Sequence, residues 1–109
     1  LNSYRFSLSW ARLFPRADMT EPDPDGVAFY QDVIAAAKAN GLEPHVSLFH
    51  FSTPEWFWEE KDGHRGWERP DALTHWRRYV EAVSQLLGPE IDYWCTLNEP
   101  MVYVLWGLY

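Results

Sequence analysis

The stretch Tyr93-Trp94-Cys95-Thr96-Leu97-Asn98-Glu99-Pro100 decides how the rest of the chain is read. It has the character of a short buried strand that ends in an amide, a carboxylate and a proline. Proline disfavours the helical region for the residue before it, so Glu99 is expected to be extended. An apolar strand with polar residues at its end is the layout of an α/β active site, where chemistry gathers at the carboxyl ends of parallel strands. On that reading Glu99 is a general acid/base and Asn98 a hydrogen-bonding group that positions substrate. The alternative is an acidic turn residue after an edge strand.

Working outward, Gly88-Pro89 ends a helix that starts at Pro70 and Asp71 and runs to about Leu87. Its apolar stripe is Leu73, Trp76, Tyr79, Val80, Val83, Leu86 and Leu87, with Arg77, Arg78, Glu81 and Gln85 on the wet side. Before it lies a polar loop from Lys61 to Glu68, and before that Ser52-Thr53-Pro54-Glu55, a capping-box pattern opening a short helix over 55–60. The aromatics of that helix either line a pocket or roof a core. Pro44 to Phe51 is a second strand on which Val46, Leu48 and His50 share one face. His50 falls at its carboxyl end, level with Glu99 on the other strand. A lone histidine there is either a structural hydrogen-bonder or a site residue.

A helix from about Gly26 to Asn40 precedes this strand, with Val27, Tyr30, Val33, Ile34 and Ala37 at helical spacing. Asp23 or Asp25 caps its start, and Asn40-Gly41 stops it. The proline- and aspartate-rich residues 15–25 form a loop. Ahead of them Tyr4 to Trp10 alternates as a strand, with Arg5, Ser7 and Ser9 on one face. If the apolar face packs on helices, Arg5 points into the centre of a sheet or barrel, where it needs an anionic partner. Otherwise the strand is half exposed and Arg5 lies in solvent.

The order is strand, helix, strand, helix, strand, with strands at about 4–10, 44–51 and 91–98. Such alternation predicts an α/β fold with parallel pairing and right-handed crossovers. Three strands close no barrel by themselves. They are expected to be part of a (β/α)8 barrel, whose length is typically about 250 residues, or else a self-contained open sheet. The chain has 109 residues, begins with Leu1, and ends on the apolar run Met101 to Tyr109. An internal piece of a single larger barrel is therefore expected, since an uncovered apolar segment invites association.

Composition narrows the partners. With 16 acidic and 9 basic residues the net charge is −7, which argues against nucleic acid and anionic membrane surfaces. Aromatic residues make up 17% of the chain, which argues against disorder. The single cysteine, Cys95, excludes an internal disulfide and is expected to be a small buried apolar residue. No apolar run reaches transmembrane length. No glycine-rich phosphate loop follows a strand, and no cysteine or histidine cluster has metal-ligand spacing, so neither a cofactor nor a metal is expected.

Four strings together resemble glycoside hydrolase family 1, the β-glucosidase family. They are Tyr4-Arg5-Phe6-Ser7-Leu8-Ser9-Trp10-Ala11-Arg12; Gly41-Leu42-Glu43-Pro44 leading to Leu48-Phe49-His50; Gly66-Trp67-Glu68-Arg69; and Thr96-Leu97-Asn98-Glu99-Pro100. The resemblance covers essentially the whole chain and implies the second to fourth strands of an eight-stranded barrel. It implies a retaining β-glycosidase acting on β-linked oligosaccharides or glycosides. Glu99 matches the family's acid/base glutamate, and Asn98 the asparagine that holds the sugar 2-hydroxyl. His50 matches the histidine that hydrogen-bonds the sugar. Arg5 matches the arginine beneath the nucleophile carboxylate.

The chain also departs from the family pattern. Phe51 and Ser52 stand where the family usually has Trp and Asp, so Phe51 keeps a stacking face for sugar but lacks an indole donor. The Lys61-Asp62-Gly63-His64-Arg65 loop is atypical. The family's nucleophile glutamate lies beyond these residues, so the piece alone is expected to be inactive. Two other readings stay open: a non-catalytic sugar-binding protein on the same scaffold, and a small α/β interaction domain that dimerises through its apolar end.

Overall fold

A computed structural model describes residues 1–107, apart from the side chains of Tyr103 and Trp106. The elements are β1 (Ser3–Ser7), α1 (Trp10–Leu13), α2 (Pro24–Ala39), β2 (Glu43–Phe49), α3 (Ala72–Leu86), β3 (Tyr93–Leu97) and α4 (Pro100–Gly107). Single 3₁₀ turns lie at Glu55–Trp58, Gly66–Glu68 and Gly88–Glu90. The three strands form one parallel sheet in the order β1-β2-β3, as the strand–helix alternation predicts. Arg5 is level with His45 and Ser7 with Ser47; Cys95 is also level with Ser47, and Leu97 with Phe49.

Local chemistry explains the element ends. Asp23 caps α2, its carboxylate accepting from the backbone of Asp25 and Gly26 at 3.0 Å each, while Pro24 supplies a preset first turn. Gly41 takes φ +69° beyond the Asn40 cap, the left-handed stop expected of it. The first strand is shorter than its alternation suggests. It ends at Ser7, because Ser9 caps α1 by accepting from Arg12 and draws Trp10 into that helix. The capping box at Ser52 to Glu55 does not form. Thr53 Oγ1 instead accepts from Trp58 Nε1 at 2.6 Å, and the segment is one 3₁₀ turn over 55–58.

The core lies between the sheet and the helices and is built around Trp10. This indole is 1% exposed and touches Phe57, Tyr79, Trp56, Trp67 and Trp76 with ring centroids 4.8–6.0 Å apart. Aromatic pairs at such spacing add about 0.5–1.5 kcal/mol each beyond area burial. From α3, Tyr79 and Val83 join the core, as does Leu87 just beyond it, but Leu73 is 74% and Leu86 44% exposed. These two, read from spacing as buried, lie at the margins of the stripe, where no described element covers them. Arg78 is not a wet residue either: its guanidinium donates to the carbonyls of Ala17 and Met19 and ties α3 to the loop after α1.

Burial follows strand position. From Val46 to Phe49 the central β2 is covered, whereas β1 and β3 are edge strands among the described residues. So β3, expected to be buried, leaves Tyr93 53% and Leu97 43% exposed, and Cys95 is only partly buried. The terminal apolar run forms α4 as far as Gly107, with Met101, Val102, Val104 and Leu105 exposed. Leu108 and Tyr109, the last residues of that run, lie outside the described residues.

Candidate active site

The carboxyl ends of the strands bring four of the five expected site residues into one neighbourhood. Arg5 on β1 reaches across both other strands. Its Nη2 donates to Asn98 Oδ1 at 2.6 Å and to Ser47 Oγ at 3.2 Å, and lies 3.7 Å from Cys95 Sγ. Its Nε lies 3.4 Å from Ser47 Oγ. Beside this fork, Ser7 Oγ and His50 Nδ1 share a hydrogen bond of 2.9 Å. Phe51 follows, its ring edge-on to His50 at 5.3 Å. Glu99 follows Asn98 directly and is exposed.

This arrangement constrains the chemistry. A guanidinium only donates, so the Asn98 side chain must present its oxygen to Arg5. Its oxygen is thereby committed, and the Nδ2 donors are the atoms left to bond a ligand. Asn98 is 9% exposed, and its backbone N–H is held by the Phe49 carbonyl at 2.8 Å, so the amide is fixed at both ends. His50 commits Nδ1 to Ser7 and keeps Nε2 as a second hydrogen-bonding atom. Together these are fixed groups of the kind that recognise vicinal hydroxyls, with a carboxyl group one residue further on.

Two expectations need correction, and Arg5 takes the exposed one of its two readings. Glu99 is not extended: its φ is +45°, in the left-handed region. Pro100 bars the right-handed region but occupies the first position of α4, so the chain must reverse at Glu99 to enter the helix. Among the described residues Arg5 has no anionic partner and lies on an open face rather than in an enclosed centre. Three strands leave that face uncovered. Finally, His50 does not share a face with Val46 and Leu48. Those two lie in the core cluster, whereas His50 bonds Ser7 on the polar side and is level with Asn98 rather than Glu99.

Sequence reasoning also passed over several residues. Ser47 is fully buried and is the pivot of the Arg5 fork. Its signal was available in the parallel register, which sets it beside Ser7. The connection from β2 to α3 is pinned by another arginine, this one buried. Arg69 forks onto both Asp71 oxygens at 3.0 and 3.2 Å and donates to the Trp56 carbonyl at 2.9 Å, while Lys61 and His75 also bond Asp71. The Arg69 hydrogen bonds hold the Asp71 carboxyl far below the ordinary carboxylate range, against the opposing effect of burial. Burial pushes His75 down from its usual value, partly offset by Asp71. Burial pushes the Tyr79 phenol up, so it stays a proton donor.

The surface also carries two hollows. One, of about 330 Å³, is apolar and lined by Phe49, Trp67, Leu73, Trp76, Leu97, Pro100 and Val104. The other, about 600 Å³ and open, lies along Tyr4, Phe6, Arg12 and Phe29. Neither is lined by Arg5, His50, Asn98 or Glu99, although Ser7, the partner of His50, borders the larger one. Among the described residues no group of three His, Cys, Asp or Glu side chains is placed to hold a metal ion.

Compared with known families, residues 1–109 match the description glycosyl hydrolase family 1 over their whole length. The chain belongs to that family. Coniferin β-glucosidase of Pinus contorta is 36% identical over 107 residues, 98% of this chain and 20% of that protein. The rice (Oryza sativa subsp. japonica) protein called "Probable inactive beta-glucosidase 14" is 36% identical over 100 residues, 92% of this chain and 19% of its own length. A β-glycosidase structure from Pyrococcus horikoshii superposes with a TM-score of 0.84 at 40% identity, covering 97% of this chain and 23% of that one. The chain thus spans about a fifth of the length of the curated relatives it matches. The sheet is the parallel, unclosed part of a family 1 barrel.

Proposed function

We propose that residues 1–109 are part of a single β-glycosidase catalytic barrel, and that the whole protein hydrolyses β-glycosidic bonds with retention of configuration. Glu99 is the general acid/base. Asn98 and His50 hydrogen-bond the sugar, Phe51 offers it a ring face, and Arg5 supports the nucleophile, a carboxylate supplied from outside these residues. No cofactor takes part.

The observation that carries this reading is the Arg5–Asn98 bond of 2.6 Å. It joins a cation, lacking an anion among the described residues, to an amide whose oxygen is thereby committed and whose Nδ2 donors stay available to a ligand. A retaining glycosidase needs its two carboxyl groups about 5–5.5 Å apart. A nucleophile carboxylate above Arg5 would be kept ionised by that charge and would lie beside Asn98, next to Glu99. Glu99 then protonates the leaving oxygen and afterwards removes a proton from water. Family membership supports the reaction class, and several matched relatives carry β-glucosidase names.

In the whole protein, Glu99→Gln should slow cleavage of poor leaving groups by orders of magnitude and that of activated aryl glycosides far less. Small, equal losses for both substrate classes would remove Glu99 from this role. A second reading is a non-catalytic sugar-binding protein on the same scaffold. It is favoured by one observation, the relative whose name calls it inactive. Sugar binding by a whole protein with no turnover of any aryl glycoside would select it.

A further inference from the structure

The alternation of side chains reverses at the end of β2. Along a regular strand His50 would follow Val46 and Leu48 onto the helix side. Instead Leu48 packs in the core, Phe49 sits against Trp67 and Trp76 at 5.6 and 6.0 Å, and His50 emerges on the polar side to meet Ser7. Two consecutive side chains therefore pack toward the helices, and the alternation shifts by one residue between Leu48 and His50.

At that point the Leu48 carbonyl accepts a hydrogen bond from the Tyr79 hydroxyl at 2.7 Å. The carbonyls on either side go to strand partners: Ser47 to the Leu8 N–H and Phe49 to the Asn98 N–H. Leu48 is absent from the β2–β3 register, which passes from Ser47 to Phe49. Tyr79 is fully buried, stacked on Trp10 at 5.4 Å, and carried by α3, so its hydroxyl is a rigid donor fixed by the aromatic core.

We propose that Tyr79 is a positioning residue for His50. By holding the Leu48 carbonyl out of the strand ladder, its hydroxyl sets the kink that turns the imidazole to the sugar face. This rests on the proposed role of His50 as a sugar ligand. The hydroxyl does no chemistry on substrate. It converts the packing of α3 against the sheet into the direction of one side chain at the site.

The test is a double-mutant cycle in the whole protein, read as kcat/KM on an aryl β-glucoside. Tyr79→Phe keeps the ring and its packing and should lower kcat/KM by about tenfold, the scale expected when a binding group is displaced by a fraction of an ångström. In a His50→Ala background the same change should cost less than about twofold, because the residue it acts through is gone. Replacing Tyr79 by 4-aminophenylalanine, which restores a donor at the ring tip, should recover most of the loss. Losses from Tyr79→Phe that are equal in both backgrounds, or no loss at all while the melting temperature falls, would make Tyr79 a structural residue only. If His50→Ala itself leaves kcat/KM unchanged, the sugar-site reading fails and this proposal falls with it. If His50→Ala is damaging and Tyr79→Phe is not, only this proposal falls.

Discussion

Replacing Arg5 by Lys keeps the charge and removes the geometry. The guanidinium presents one plane of donors that satisfies Asn98 Oδ1 at 2.6 Å and Ser47 Oγ at 3.2 Å from a single nitrogen, with a second nitrogen near the same hydroxyl. An ammonium is a point donor on a flexible stem and cannot hold both acceptors in that plane. Losing one charge-assisted hydrogen bond costs about 1.5–3 kcal/mol. If that loss falls on the transition state, kcat/KM drops by about 10- to 150-fold at 1.36 kcal/mol per decade. Part of the effect is indirect, since the Asn98 amide, no longer forced to offer its oxygen inward, is free to flip and withdraw its donors from the sugar. The assay is kcat/KM of the whole protein on a β-glucoside and on its 2-deoxy analogue. The Arg5→Lys loss should be much larger on the glucoside, because the analogue lacks the hydroxyl that Asn98 is proposed to hold. A loss below about twofold on both substrates, with the protein folded, would refute the claim that Arg5 orients Asn98.

Three further outcomes are expected. Gly66 has φ +55°, and a Cβ there would lie 2.6 Å from the Trp58 ring; Gly66→Ala should therefore destabilise by about 2–5 kcal/mol, left-handed strain of about 1–2 plus overpacking of about 1–3, read by denaturant unfolding. Asp71 and His75 both have depressed values in the fold, so each contributes stability at neutral pH that is lost on acidification. The loss begins as pH falls below about 6.5 for His75 and continues below about 3.9 for Asp71, and Asp71→Asn should show its largest deficit in melting temperature at neutral pH and a shrinking one toward pH 3. Purified residues 1–109 should turn over no aryl glycoside if, as proposed, the attacking carboxylate comes from outside them; measurable hydrolysis would contradict the division of roles proposed above.

Much of this architecture is legible in the residues themselves. Helix α2 announces both of its ends, Asp23-Pro24 at one and Asn40-Gly41 at the other, and the parallel sheet follows from the spacing of three apolar runs. Arg5 and Asn98 are also recoverable, one from alternation and one from its place at a strand end. What the sequence conceals depends on tertiary contacts. Periodicity alone assigns Leu73 and Leu86 to the core, because it cannot tell which parts of an apolar stripe have a neighbour. It puts His50 on the wrong face, because the shift in alternation, which we attribute to a tyrosine 31 residues away along the chain, leaves no mark in the local pattern. It makes Glu99 extended, because proline's steric rule excludes one region without choosing between those that remain. Arg69, whose side chain is only 8% exposed, looks like an ordinary loop cation until Asp71 and the Trp56 carbonyl are seen around it.

The aromatic cluster around Trp10 has an optical consequence. Four indoles, those of Trp10, Trp56, Trp67 and Trp76, stand within 6.0 Å of at least one other, at interplanar angles from 43° to 87°. Transition dipoles so close and so oblique couple, and the chirality of their arrangement turns that coupling into an ellipticity that isolated chromophores lack. The layer between sheet and helices thus carries its own spectroscopic label, and its assembly can be followed apart from the backbone signal without attaching any dye.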